Sequence, residues 1–231
     1  MKTSKIIFIS LLSTIAILIL ATLIDLRISG RRNSERQFDF KVNKQIVPAF
    51  RVLQVYNSMN ITLVKNDSSY IEVTYLKDSI TPKVNYAMKG DTLIVTDFEK
   101  LVHRNVSIKI SATDSLGRIQ LNNSDISVER FGRGKLSFDM DQSNLSLNQD
   151  TLVKSSYQAL DIVAKNHSRI NSSEFRIDSL GLKLQNSEAN LEIKTLKISG
   201  ALSDSSKIYV RNPEEISIKK DGTSRINVNE Y

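Results

Sequence analysis

The sequence has no cysteine, no tryptophan, two histidines, three prolines and eight glycines among 231 residues. Without cysteine there is no disulfide framework, no thiol nucleophile, no zinc ribbon, no iron–sulfur ligand set and no lipid-modified N-terminal Cys. His103 and His167 stand far apart in the sequence, so no metal centre and no cofactor is expected. The length fits one or two ordinary folded units.

A polyanion-binding body is also missing, although the formal charge is +7. Residues 1–36 carry Lys2, Lys5, Arg27, Arg31, Arg32 and Arg36 against Asp25 and Glu35, a balance of +4; the remainder holds 26 basic and 23 acidic residues. A nucleic-acid partner needs its basic face on the folded part, and none is expected here.

What the N-terminus does have is a long apolar run. Residues 6–24, IIFISLLSTIAILILATLI, contain no charge. As a helix they just span a hydrocarbon core of about 30 Å. A cleaved signal peptide is the competing reading, since residues 1–5 form a small basic tail. The run is longer than the usual signal core, however, and no small-x-small cleavage pattern surrounds Ala21, which favours an uncleaved transmembrane anchor. Residues 25–49 read as a tether, with Arg27, Arg31, Arg32 and Arg36 placed to meet lipid headgroups. The positive-inside count alone would keep the body in the cytoplasm, whereas a basic head followed at once by an apolar run is the form of an export signal. The domain is read as extracytoplasmic, in the periplasm or at the cell surface.

From residue 50 on, two-residue alternation of aliphatic and β-branched residues replaces any helical period. Residues 50–118 form separate strands, among them Arg51–Val55, Asn60–Val64 and Thr92–Thr96, with turns such as Lys89-Gly90-Asp91 between them. Residues 119–231 repeat. An apolar-x-apolar pair recurs as Ile119/Leu121, Leu136/Phe138, Leu160/Ile162, Leu182/Leu184, Leu196/Ile198 and Ile216/Ile218. Each is followed by Ser-x-apolar-x-apolar, at Ser124, Ser143, Ser168, Ser206 and Ser224, except that the Ser168 copy ends in Ser172 instead of an apolar residue and Ala189 takes the Ser place in one copy. Such a unit cannot bury its apolar face alone and must stack on its neighbours. The expected fold is all-β, a single-stranded right-handed parallel β-helix with six rungs in its second half, preferred over an antiparallel sandwich. Ile126, Leu145, Ile170, Leu191, Ile208 and Ile226 would form one inward stack, with the serines satisfying backbone groups at a corner.

Two sets of residues are candidates for chemistry. The outward positions Asp125, Asn144, Arg169, Asn190, Lys207 and Arg225 would lie in one line, and its basic members Arg169, Lys207 and Arg225 could hold an anionic glycan or headgroup. Asp139 and Asp141, with Asp150 and Asp161 nearby, could supply the paired acid and base of a polysaccharide lyase or hydrolase. No His, Arg or aromatic platform recurs beside them, so an enzyme is not expected.

The segments FRVLQV (50–55), NITLV (60–64), IEV (71–73), KGDTLIV (89–95), VSIKI (106–110) and the Ser-x-apolar ladder up to GTSRI (222–226) resemble the bacterial GIN-type domain, labelled a putative auto-transporter adhesin head domain. The resemblance covers roughly residues 45–231. It implies a right-handed β-helix-like fold at the cell envelope and carries no catalytic residues. The family's rung turns are often Gly-rich, whereas this chain uses Asn, Ser, Asp and Lys, as in NNSD (122–125). The expectation is a non-enzymatic, membrane-anchored envelope protein that presents a β-helix surface to an envelope glycan or another protein. The alternative is a structural scaffold that self-assembles through exposed β edges.

Overall fold

The structure, a computed structural model, describes residues 13–15, 17–24, 39–77, 82–98, 106–129, 134–148, 156–211 and 213–229. The chain divides into two compact units, Met1–Asp39 and Phe40–Tyr231. In the first, residues 13–15 and 17–24 are helical and exposed. Among the described residues no helix is long and apolar enough to cross a membrane. The basic tail 1–5, residues 6–12 and 16 of the apolar run, and tether residues 25–38 lie outside the described residues.

The second unit is built of strands. Its first half holds β1 (Phe40–Ile46), β2 (Val52–Tyr56), β3 (Ile61–Lys65), β4 (Tyr70–Leu76), β5 (Asn85–Lys89), β6 (Thr92–Thr96) and β7 (Ser107–Ala112). Then follow β8 (Arg118–Asn122), β9 (Asp125–Glu129), β10 (Lys135–Asp141), β11 (Asn144–Asn148) and β12 (Ser156–Lys165). The long β13 (Arg169–Gln185) and β14 (Glu188–Ser203) precede β15 (Lys207–Arg211), β16 (Glu215–Lys220) and β17 (Arg225–Asn229). Alternation in sequence becomes alternation in burial: in β2, Leu53 and Val55 are buried while Val52, Gln54 and Tyr56 are half-buried.

Two ladders face one core. One runs β5, β6, β2, β8, β10, β12, the second halves of β13 and β14, and β16. The other runs β1, β4, β7, β3, β9, β11, the first halves of β13 and β14, β15 and β17. The chain passes from the first ladder to the second at each corner, so that β8–β9, β10–β11 and their successors are stacked rungs. Among the described residues there are six such rungs from Arg118 onward. Two more, β2–β3 and β6–β7, come from the first half, where the sequence reads only as separate strands. The inward side chains of both ladders form one continuous apolar cluster.

Three expectations need correction. The sheets are mixed rather than parallel throughout, because β5 lies antiparallel on β6, β4 on β7 and β1 on β4. Residues 40–49 are not tether: Phe40–Ile46 is a strand, and Val47 and Phe50 are buried in the core. The inward stack also shifts by two residues at one rung. Ile170 pairs with Ala189, which pairs with Ile208, while Leu191 falls in the next column beside Ser172 and Val210. The serine of that rung is therefore Ser187, and the copy once read as serine-less is complete.

The corners explain how the chain manages with little glycine. The residue that leaves the first ladder adopts a left-handed conformation at Asn57 (φ 49°), Asn123 (φ 47°), Gln142 (φ 48°) and Asn186 (φ 48°). Asn tolerates this region with a local side-chain hydrogen bond where other residues would be strained. The serine that follows is buried, and at Ser58, Ser124 and Ser143 its hydroxyl both donates and accepts. Ser143 Oγ donates to Asp141 O (2.6 Å) and accepts the Ser124 amide of the rung below (3.1 Å). The Ser143 amide in turn donates to Ser168 Oγ (3.1 Å), and Ser187 to Ser206 Oγ (3.2 Å). At the last corner hydrogen bonds from Ser224, from the Asp204 amide and from Thr223 hold the Asp221 carboxyl well below the usual carboxylate range.

Two substitutions separate saturated from unsaturated serines. Ser143→Ala strands the buried Ser124 amide as well as removing a donor, and we expect a loss of roughly 1–3 kcal/mol, read as a lower urea midpoint at unchanged m-value. Ser172 has the opposite sign. Its Oγ is buried without a hydrogen-bond partner among the described residues, in a column with Leu147 and Leu191. Ser172→Val is expected to raise stability by about 1 kcal/mol in the same titration.

Candidate functional site

The outer face of the second ladder carries the line of outward residues expected from the repeat, with one change of membership. Register places Asp125, Asn144, Arg169, Glu188, Lys207 and Arg225 side by side on successive strands. Glu188 stands where Asn190 was expected, because the two-residue shift at Ala189 moves the whole rung. Arg169, Lys207 and Arg225 thus share one line, but a carboxylate separates the first from the other two. An anion lying along the line meets alternating charge rather than a basic column.

Asp139 and Asp141 lie on the outer face of the first ladder, in β10. Arg118 grips Asp139 Oδ2 through Nε (2.8 Å) and a terminal guanidinium nitrogen (2.5 Å). Asp141 accepts Asn166 Nδ2 at 2.7 Å and has Lys165 Nζ at 3.9 Å. Both carboxylates act as tie points between neighbouring strands and corners. Asp161 lies across from Ser137 and Gly181 on the same ladder; Asp150 and His103 lie outside the described residues. His167 is a corner residue whose ring nitrogen is 3.3 Å from Asn186 Nδ2. No cluster of three potential metal ligands occurs among the described residues.

A groove of about 610 Å³ opens on the outer face of the second ladder, at the Asp125–Asn144 end of the charged line. Its floor is made by outward residues of three neighbouring strands, Thr62 of β3, Ser127 of β9 and Ser146 of β11, held side by side by parallel register. These short side chains leave the depression. One side is raised by Phe40 of β1, whose exposure is 49%. Asp125 and Asn144 border it and bond to each other, Asn144 Nδ2 donating to Asp125 Oδ1 at 2.6 Å.

The sequence could show Ser127 and Ser146 as equivalent, since both are the fourth residue of a Ser-x-apolar-x-apolar unit. It could not show that Thr62 completes the row or that Phe40 stands over it. Those two arrive through the non-sequential placement of β2–β3 and the antiparallel return of β1.

No family model matches the chain, and no curated protein matches it in sequence. Solved structures do resemble it. A putative adhesin from Bacteroides fragilis superposes over 83% of this chain and 97% of its own, at 14% identity and a TM-score of 0.51. A putative lipid binding protein from Parabacteroides distasonis covers 84% and 98%, at 12% identity and a TM-score of 0.51. At such identities the likeness is one of fold, and the all-β body of this chain has the fold of those two proteins.

Proposed function

We propose that this chain is a non-enzymatic cell-envelope protein of the GIN type, anchored by residues 6–24, whose β-helix-like body binds or adheres through its outer surface. The observation that carries the reading is the ladder itself: a continuous apolar core behind two outer faces of stacked strands, with a groove on one of them. Asp139 and Asp141 support a structural rather than a catalytic role, being engaged by Arg118, Asn166 and Lys165. The apolar run, with the short basic tail directly before it, supports an anchor with the body on the far side of the membrane. Protease shaving of intact cells, with a reporter fused after Tyr231, tests it. Loss of the body without lysis is the expected result, and a body protected until the cytoplasm is opened would sink the proposal.

The scaffold reading keeps one observation in its favour. At the C-terminal end Ile216, Ile218 and Ile226 are only half-buried against the core, and Val228 is 41% exposed. The other end is covered by antiparallel β1, β4 and β5, and β1 bears Lys41 and Lys44 along its edge. Lysines on an edge strand discourage further pairing, so end-to-end contact stops at a pair. Sedimentation at rising concentration distinguishes a monomer–dimer equilibrium from open-ended growth.

A further inference from the structure

We infer that the groove over Thr62, Ser127 and Ser146 binds a neutral glycan, an inference that rests on the reading of this chain as a binding protein. The side chains of Asn60, Thr62, Thr74, Ser107 and Ser146 line the groove and make no hydrogen bond to other described residues. The corner hydroxyl of Ser143, by contrast, has both donor and acceptor engaged. The groove therefore gathers several outward polar side chains whose hydrogen-bonding groups are not engaged by other described residues.

Three ligand classes are disfavoured by that lining. Among the described residues that line the groove there is no Lys or Arg and there is Asp125, so an anion would meet no counter-charge from them. A lipid chain would cover amide and hydroxyl groups without replacing their hydrogen bonds to water, which is unfavourable for each group covered. A nucleic acid needs cations for its phosphates. A neutral sugar fits on each count. Its hydroxyls both donate and accept, as the hydroxyls of Thr62 and Ser146 do, and the apolar face of a pyranose ring can rest on the half-exposed ring of Phe40.

The row also favours several sugar units over one. Thr62, Ser127 and Ser146 repeat once per strand, about 4.8 Å apart, so a chain of similar units meets similar groups at each step. The volume lies in the range of small-molecule and oligosaccharide sites, roughly 300–1,000 Å³. The floor is hydrogen-bonded sheet, so little ordering is needed on binding. The ligand thus belongs beside the early rungs, away from Arg169, Lys207 and Arg225.

The test uses the full chain in nanodiscs, titrated calorimetrically with cellohexaose, maltohexaose, mannohexaose and the hexamer of N-acetylglucosamine. Oligogalacturonate and a heparin hexasaccharide form the anionic arm. We expect at least one neutral hexasaccharide to bind with Kd below about 1 mM. Phe40→Ala and Ser146→Leu should each weaken it about tenfold or more, while Lys207→Ala leaves it unchanged. Both groove residues face outward, and an unchanged melting temperature certifies the fold. Failure of every neutral probe, binding of the anionic probes alone, or indifference to both groove variants would overturn the inference. The titration does not depend on membrane sidedness, so its failure and that of the envelope reading are told apart.

Discussion

Gly200→Ala is expected to destabilise the body by roughly 2–5 kcal/mol, whereas Gly181→Ala, nineteen residues earlier on the same ladder, should cost less than about 1 kcal/mol. The two glycines face different neighbours. Gly200 has φ of +150°, and a Cβ built there would lie 1.7 Å from the Leu182 carbonyl oxygen and 2.7 Å from its carbon. Leu182 is its register partner on β13, so the obstacle is the backbone of the adjoining strand, which cannot move without breaking the ladder. A Cβ on Gly181 would instead meet Asp161 Oδ1 at 2.3 Å. That is the end of an outward carboxylate side chain, free to rotate aside. Paired urea titrations of the two variants decide the matter: equal effects would mean that the close approach of β14 to β13 at Gly200 is wrong.

Phe138→Ala should be the most costly large-to-small substitution, at about 3–5 kcal/mol. Phe138 is wholly buried. It sits at the middle of an inward column that runs through Leu93, Leu53, Ile119, Phe138, Ile162 and Leu182 and ends against Gly200 and Ile218. The strands on either side of it are fixed by hydrogen bonds, so the cavity cannot close by collapse. A fall in melting temperature of roughly 10 °C follows from that cost for a body of this size. A loss no larger than that of an exposed substitution would show that the inward column is not packed as described.

The repeat was legible because its two signals agree: period-2 aliphatics set the strands, and a serine marks each corner. It slipped at one rung for a physical reason. In SEANL (187–191) the inward residue is Ala189, too small to read as core, and Leu191 two places later has the same parity. Parity was kept, so the predicted inward and outward faces stayed correct while the column moved. The consequence fell on function, since Glu188 entered the line of Arg169 and Lys207. The rungs β2–β3 and β6–β7 were hidden because β4 and β5 intervene and because β2–β3 inserts between β6–β7 and β8–β9. No pattern local in sequence reports such an insertion. β1 was missed for the inverse reason. Its apolar residues Phe40, Val42 and Ile46 are exposed, so the usual link between alternation and burial does not hold there. The groove needs β1, β3, β4, β7, β9 and β11 together, and only the fold assembles them.

The claim beneath both functional readings is that the outer face is one unbroken row in the stated register. Spin labels at Ser127 and Asn227, introduced as cysteines into a chain that has none, measure it directly. The two positions are 100 residues apart in sequence and five strand steps apart along one outward column, through Ser146, Asn171, Asn190 and Tyr209. Pulsed dipolar spectroscopy should return a narrow distribution centred near 24 Å, from steps of about 4.8 Å. A broad distribution, or a centre beyond about 35 Å on the same spacing, would contradict the ladder and with it the surface on which binding is proposed.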